Sequence, residues 1–258
     1  MGWWRRRRRA RVMGRPFPES WGEILRRNVP FSEKLPVDDR RELEGLIQVF
    51  LDEKHFEGAG GLRMTDEIRV TVAAHACLLL LHRETELYPR MSSIIVYPRP
   101  YRARQQRRGP AGTVEEGTEI RFGESSTRGA VVLAWDAVRA IATDPHGCGN
   151  VVVHEFVHQL DAEDGHVEGT PPLPGSLVAT WAQVLGDEFE SLREEIARGV
   201  ATLIGAYGAS SPAEFFAVAT ECFFMRPRAM RRRHPELYDA LASYYRQDPA
   251  AWPGPASR

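Results

Sequence analysis

Lysine, cysteine and long apolar runs are all scarce in this chain of 258 residues. Lys34 and Lys54 are its only lysines, so arginine supplies nearly all of the basic side chains, and a single arginine says little about function. The three cysteines, at positions 77, 148 and 222, are scattered and odd in number. This pattern argues against a disulfide framework or a C-x-x-C metal clip and indicates a reducing compartment.

No apolar run has the length of a membrane span. The longest one, Ile68 to Leu81, is interrupted by Arg69 and His75 and is shorter than the about 18 residues that a span requires. The basic start of the chain is not followed by the apolar segment of a secretory signal. We therefore expect a cytoplasmic protein without a transmembrane segment.

Charge is nearly balanced overall but uneven along the chain. The net charge is −1, so we expect no nucleic-acid binding by the folded part. Residues 1–18, however, hold seven arginines and no acidic residue. We predict that residues 1–18 form a basic, disordered tail; contact with anionic lipid or nucleic acid is the alternative.

One apolar stretch, residues 151–161 (VVVHEFVHQLD), contains an H-E-x-x-H motif. Its apolar residues recur at helical spacing, which predicts a buried helix. Because residues four apart share a helix face, His154 and His158 can direct two imidazole nitrogens at one point. Zinc accepts neutral imidazole and leaves one tetrahedral position open, and Glu155 beside the first histidine is suited to act as a general base. The alternative is a buried helix with two hydrogen-bonded histidines and a surface glutamate.

The sequence offers three candidates for a third metal ligand. Asp164 stands where the extended pattern H-E-x-x-H-x-x-G-x-x-H has its last histidine, but Asp161 replaces the glycine and makes the required turn harder. Glu214 and Glu221 lie on one predicted later helix, about 10 Å apart along its axis, so only one of them can reach the metal. Glu214 also completes a capping box with Ser211, and the local pattern leaves the choice between the glutamates open.

Several segments together resemble the Mlc titration factor A family of zinc peptidases. They are HEFVHQLD (154–161), GTPPLP (169–174), YGASSPAEFFAV (207–218) and YYRQDP (244–249). The resemblance runs from about Trp21 to Pro249 and leaves out the first 15 residues. It implies a mostly helical, zincin-like α+β fold with a small sheet, and an active-site cleft between that sheet and the motif helix.

The resemblance also implies an activity, peptide hydrolysis that includes aminopeptidase action. It implies one zinc ion bound by His154, His158 and Glu214, with Glu155 as the catalytic base. Tyr207 corresponds to the family's active-site tyrosine, which can donate a hydrogen bond to the developing oxyanion. We expect residues 19–252 to form a single peptidase domain, with a helical N-terminal part (19–90) and a catalytic part (91–252).

Two further hypotheses concern the surroundings of the motif. Asp161, three residues beyond His158, is a candidate for orienting a ligand imidazole or for ending the helix. The family name refers to capture of a transcriptional repressor, so the alternative function is a non-catalytic regulatory protein that binds a partner and uses zinc for structure. An intact Glu155 favours catalysis, because a purely structural site requires no base.

Overall fold

The computed structural model of the chain describes residues 3–83, 86–108, 114–121, 123–126, 129–144 and 147–253. Helices dominate this part of the chain. Its α-helices are α1 (Trp3–Met13), α2 (Glu19–Asn28), α3 (Val37–Glu53), α4 (Asp66–Leu78), α5 (Trp135–Ile141), α6 (Val151–Asp161), α7 (Gly175–Ala197), α8 (Pro212–Met225), α9 (Pro227–Arg233) and α10 (Pro235–Tyr245). Its strands are β1 (His55–Gly58), β2 (Ser93–Tyr97), β3 (Tyr101–Arg108), β4 (Val114–Arg121), β5 (Gly123–Ser126) and β6 (Ala130–Ala134).

Helices α3 and α4 form the N-terminal layer of the core. On α3, Leu43, Ile47 and Phe50 recur at helical spacing and are completely buried, as the apolar pattern predicts. On α4, the Thr65 side chain accepts a hydrogen bond from the Ile68 amide and caps the helix. Nearly every later residue of α4 is buried, so α4 is a core helix rather than an amphipathic one.

Four of the strands form the sheet that borders the motif helix. Their order is β1-β2-β6-β5, with β1, β2 and β6 parallel and β5 antiparallel to β6. Ile94 pairs with Val131 and Val96 with Leu133, and all four side chains are fully buried. The apolar runs 94–97 and 131–135 predict buried strands, and β2 and β6 confirm them, except that Trp135 begins α5. The segment of β1 is too short and too polar for its sequence to indicate a strand.

The polar composition of residues 99–117 predicts a long loop or an irregular hairpin, and this segment contains β3 and the first half of β4, which pair antiparallel. The alternating residues 119–122 predict a strand; 119–121 are the end of β4, and position 122 lies outside the described residues.

Helix α6, which carries the motif, runs through the core against α4, α8 and the β6–β5 edge of the sheet. Apart from the partly buried Val151, its apolar residues are completely buried, and Phe156 packs edge-on against Tyr88. The Asn150 side chain caps the helix by accepting a hydrogen bond from the Val153 amide at 3.1 Å. Because the start of α6 is capped and its apolar side is packed, the polar residues of α6 are held in fixed positions.

Helix α8 begins with Ser211, whose hydroxyl accepts a hydrogen bond from the Glu214 amide, and Pro212 occupies its first position. Trp181 of α7, Phe216 of α8 and Tyr244 of α10 pack ring against ring and join the C-terminal helices. The predicted class is confirmed: the fold is mostly helical α+β and consistent with a zincin-like arrangement. None of the described helices is both long and apolar enough to cross a membrane.

The prediction of a disordered basic tail was wrong for residues 3–13, which form α1. The Arg9 side chain is buried and places two nitrogens 2.6 and 2.7 Å from the carboxylate oxygens of Glu53 at the end of α3. Arg5 contacts the same carboxylate, and Arg8 pairs with Asp52. These acids are more than 40 residues away in sequence, so the arginine run alone gives no sign of them.

Candidate metal centre

Helix α6 brings its two histidines together, and α8 adds a carboxylate. The Nε2 atoms of His154 and His158 are 3.3 Å apart. Glu214 Oε2 lies 3.0 Å from the first and 3.4 Å from the second. Ligand atoms placed about 2.0–2.1 Å from one ion in a tetrahedron are roughly 3.3–3.4 Å apart, so the three separations match a single tetrahedral site.

The donor set also has the chemistry of a metal site. Glu214 Oε2 is buried and, although close to both rings, makes no hydrogen bond of acceptable geometry. His158 Nδ1 is likewise buried without a hydrogen-bond partner among the described residues. Two imidazole nitrogens and a carboxylate oxygen that face one another with their lone pairs fit a divalent ion. Of the residues described, only His154, His158 and Glu214 form such a cluster.

Charge in this cluster is strongly coupled. Burial by itself lowers the pKa of His154, but the carboxylates of Glu214 and Glu221 outweigh burial and raise that pKa to about 10. Burial raises the pKa of Glu214, yet the two imidazoles outweigh it and hold that pKa well below its usual range. The surroundings therefore favour a positive charge between these groups, which a divalent cation supplies without a proton.

Glu221 lies behind the cluster and orients one ring. Its Oε1 is 2.8 Å from His154 Nδ1, and its Oε2 accepts a hydrogen bond from the Asn150 amide. Because a carboxylate only accepts, this contact favours hydrogen on His154 Nδ1 and leaves Nε2, which faces Glu214, as the ring atom that can bind a metal. The two glutamates that the sequence could not separate thus lie on opposite sides of one imidazole.

Glu155 and Tyr207 border the same cluster. Glu155 is 6% exposed, and its negative charge contributes to the raised pKa of His154. Tyr207 lies in a short 3-10 helix, Ala206–Ala209, just before α8, and is 58% exposed. Its ring centre is 5.9 Å from that of His154. A buried carboxylate and an accessible phenol therefore flank the three convergent groups.

The two aspartates after the motif do not join the cluster. Asp161 Oδ2 accepts a hydrogen bond from the Gly169 amide at 2.8 Å, and Asp161 is the last residue of α6, which fits its alternative role of ending the helix. Asp164 is exposed and accepts a hydrogen bond from the His166 amide. The alternative of Asp164 as third ligand therefore fails, because the chain turns into a short 3-10 helix, Ala162–Asp164, after α6.

Gly169 itself fixes the approach of α8. It has a positive φ of 78°, and a Cβ at this position would lie 2.4 Å from the Pro212 carbonyl oxygen in the first turn of α8. Trp181 Nε1 donates a hydrogen bond to the Gly169 carbonyl at 3.1 Å. The loop after α6 and the start of α8 are therefore in direct backbone contact.

Sequence reasoning missed one buried polar contact and one cavity. Asn150 Nδ2 lies 3.0 Å from Nδ1 of His75 on α4, a histidine that burial holds at a pKa of about 4. A cavity of about 570 Å³ adjoins Tyr207 and Glu221 and is also lined by Cys148, Arg226 and Arg233. Neither feature has a sequence signal, because the residues come from separate segments.

Two histidines on one helix, a glutamate from a second helix and a buried glutamate beside the first histidine define the class, a metallopeptidase-type protein. The chain matches the model of the family described as glucose-regulated metallo-peptidase M90 over residues 1–246, and it belongs to this family. The match includes the basic first 15 residues, so their expected exclusion from the resemblance was wrong.

Named relatives agree with the family assignment. Uncharacterized protein slr2042 of Synechocystis sp. is 37% identical over 244 residues, which are 94% of this chain and 89% of that protein. Mlc titration factor A of Edwardsiella ictaluri is 32% identical over 256 residues, 95% of this chain and 92% of the relative. Mlc titration factor A of Yersinia pestis is 31% identical over 234 residues, 90% and 85% of the two chains. The resemblance stated from the sequence is confirmed.

Proposed function

We propose that the protein is a zinc-dependent metallopeptidase with aminopeptidase activity, in which His154, His158 and Glu214 bind the metal. The observation that carries the proposal is the match between their three ligand-atom separations and one tetrahedral site. Their nitrogen and oxygen donors suit zinc, and only three protein groups converge, as in catalytic rather than closed structural sites. When bound, the zinc ion supplies a Lewis acid that polarises a water molecule and the scissile carbonyl.

The chain's own groups carry the proton transfers. Glu155 accepts a proton at its carboxylate from the attacking water and passes it to the leaving amine. Tyr207 donates a hydrogen bond from its phenol to the oxyanion that develops on the carbonyl. Glu221 holds His154 in the tautomer that leaves Nε2 free of hydrogen. The buried position of Glu155 keeps its carboxylate away from bulk water before the substrate arrives.

Replacement of the proposed base is the most direct test. Glu155→Gln removes the proton acceptor but keeps side-chain size, so the variant is expected to retain its metal and fold. We expect hydrolysis of aminoacyl and peptide substrates to fall by about 10²–10⁴-fold. Rates are measured on a substrate panel with metal content determined in parallel, and Glu168→Gln, an exposed glutamate, is the matched control. Wild-type rates in Glu155→Gln would refute the catalytic role.

A regulatory role is the second candidate, and the name of two relatives favours it. Proteins called Mlc titration factor A are 31–32% identical to this chain over most of its length. We propose that this chain also binds a repressor of the Mlc type. Titration of labelled Mlc with wild type and Glu155→Gln tests this. Equal affinity of both proteins separates binding from catalysis, and no binding by either removes the role.

A further inference from the structure

The cavity beside the metal centre contains an unusual set of charges. Among its described lining residues, Arg226 and Arg233 bring two guanidinium groups, and Glu221 is the only carboxylate. Both oxygens of Glu221 are already engaged, one with His154 Nδ1 and the other with the Asn150 amide. Against these two positive charges the described lining sets one negative charge, that of Glu221, so one positive charge is in excess within the described lining.

The cavity is also close to the reacting groups. Tyr207 lines it and at the same time lies with its ring centre 5.9 Å from that of His154. A molecule in the cavity is thus separated from the metal ligands by the thickness of one side chain. A volume of about 570 Å³ is within the range of small-molecule sites and accommodates part of a peptide.

We propose that this cavity binds a carboxylate of the peptide substrate through Arg233, and so determines which peptides are cleaved. The proposal rests on the proposed peptidase function. A guanidinium group presents paired donors that match the two oxygens of a carboxylate. The carboxylate comes either from an acidic side chain near the scissile bond or from the C-terminus of a short peptide, and the two sources are separated below.

Arg233 is the better residue to change. It is exposed at the end of α9, and no ion pair of its side chain is found within the described part of the chain. Arg226 follows α8 directly and adjoins Glu221 in the lining, so its replacement would also disturb the ring that Glu221 orients. Arg228, on the same short helix and exposed but not part of the lining, is the matched control.

The first experiment measures peptide binding to the zinc-loaded Glu155→Gln protein, in which hydrolysis is blocked. Four peptides differ only in a glutamate or glutamine next to the scissile bond and in a free or amidated C-terminus. We expect the peptide with the recognised carboxylate to bind about three- to tenfold more tightly than the glutamine amide, as for a charge-assisted hydrogen bond at a partly exposed site. When Arg233→Gln is introduced into the Glu155→Gln protein, the affinity difference between these two peptides should shrink to within twofold. Arg228→Gln in the same protein should leave the difference unchanged.

The pattern of preferences identifies the source. Tighter binding of the amidated glutamate peptide indicates an acidic side chain, and tighter binding of the glutamine peptide with a free C-terminus indicates terminal recognition. Equal binding of all four peptides would overturn the inference while leaving the peptidase proposal intact.

A second experiment does not depend on peptidase activity. Cys148 lines the cavity and is half-buried, while Cys77 and Cys222 are buried. Iodoacetate and iodoacetamide both alkylate its thiolate, which forms a carbon–sulfur bond and releases iodide, but only iodoacetate carries a carboxylate. The ratio of the two rates at Cys148, measured by mass spectrometry, therefore reports how strongly the cavity attracts a carboxylate, and changes in thiol pKa cancel.

We expect Arg233→Gln to lower this ratio about two- to threefold, as for loss of one screened charge several ångströms away, and Arg228→Gln to leave it unchanged. An unchanged ratio in Arg233→Gln would overturn the inference. A lowered ratio in a protein whose wild type neither binds nor cleaves any of the peptides would support the carboxylate site and refute the peptidase proposal.

Discussion

Two regions of the molecule bury charged side chains, and the end of α3 is the first. There Glu53 receives two hydrogen bonds from Arg9, and Lys54 donates to the backbone carbonyls of Tyr88 and Met91 at 2.7 and 2.6 Å. Each of these charges has partners supplied by the protein. Such a set stabilises one arrangement of the chain and offers no free lone pair to a ligand.

The meeting point of α6 and α8 is the second region, and its groups are arranged in the opposite way. His154 Nε2, His158 Nε2 and Glu214 Oε2 lie within 3.4 Å of one another, and neither Glu214 Oε2 nor His158 Nδ1 makes an acceptable hydrogen bond among the described residues. The difference teaches that burial of charge does not by itself indicate function. Convergence of three possible ligand atoms, with buried polar atoms left unsatisfied, distinguishes the candidate metal centre from the ion pairs under α1.

The largest expected effect is a loss of bound metal, which substitutions in the second region should cause and substitutions in the first should not. His154→Ala or His158→Ala removes one of the three proposed ligands, so we expect the zinc content to fall from about one ion per chain to almost none after dialysis. Lys54→Met, in the other region, should keep the full content. Elemental analysis measures both, and full occupancy in the two histidine variants would remove the distinction.

A smaller difference is expected between the two glutamates of α8. Glu214→Gln replaces a proposed ligand and should weaken zinc affinity sharply, while it costs only about 1 kcal/mol of stability because the cap at Ser211 remains. Glu221→Gln changes a group behind His154 and should weaken affinity about 10–100-fold. Competition with a zinc chelator gives both affinities, and the reverse order would make Glu221 the ligand.

Stability rather than metal binding should change at Lys54. Lys54→Met removes the Lys54 donor from the Met91 carbonyl and from the Tyr88 carbonyl, of which the latter keeps the Met91 amide at 3.1 Å. We expect a loss of about 1–3 kcal/mol in the free energy of unfolding. Lys34→Met, at the other lysine, which is exposed, should be neutral within about 0.5 kcal/mol. Chemical denaturation measures both, and equal stability of the two variants would contradict the role of Lys54.

The same variant tests a pH dependence. Burial lowers the pKa of Lys54 to about 8 from its ordinary value of 10.5. Between these values the unfolded chain binds a proton that the native protein releases, so this contribution to stability rises with pH. The contribution of Lys54 to stability is complete above about pH 10.5 and is lost as the pH falls through 8. The stability difference between wild type and Lys54→Met should therefore increase over this range, by at most about 3 kcal/mol.

The smallest effect is expected at α1. Arg9→Met removes both hydrogen bonds to Glu53 and should cost about 1–2 kcal/mol, with loss of hydrogen-exchange protection confined mainly to α1. Arg6→Met, on an exposed part of the same helix, is the control. Unchanged protection of α1 in the Arg9 variant would show that its other contacts suffice.

Much of the fold and the centre of the site could be predicted because their signals are local. The spacing of His154 and His158 and the apolar period around them lie within one helix, and Asn150, directly before that helix, is a residue type that favours the N-cap position. Glu214 was identified only through family resemblance, since its capping contact with Ser211 is real and coexists with its position beside the histidines.

The parts that could not be predicted depend on distant partners. Helix α1 is held by ion pairs with acidic residues at the end of α3 and with Glu86. Strand β1 forms because its backbone pairs with that of β2, which follows it in the chain only after α4. Asp161 was a candidate either for orienting a ligand imidazole or for ending the helix. It is the last residue of α6, and a loop that returns eight residues later donates its Gly169 amide to it. The periodicity of a single segment cannot predict contacts between residues that are distant in sequence.

Gly169 limits how this site can be altered by protein engineering. Any side chain there would strike the Pro212 carbonyl and displace the first turn of α8, which carries Glu214. A library screened for new metal preferences would naturally vary the three candidate ligands, but this residue, which contributes no donor atom, must stay constant for those variations to be comparable. The backbone contact at position 169 thus limits how α8, which carries Glu214, can be placed relative to the loop after α6.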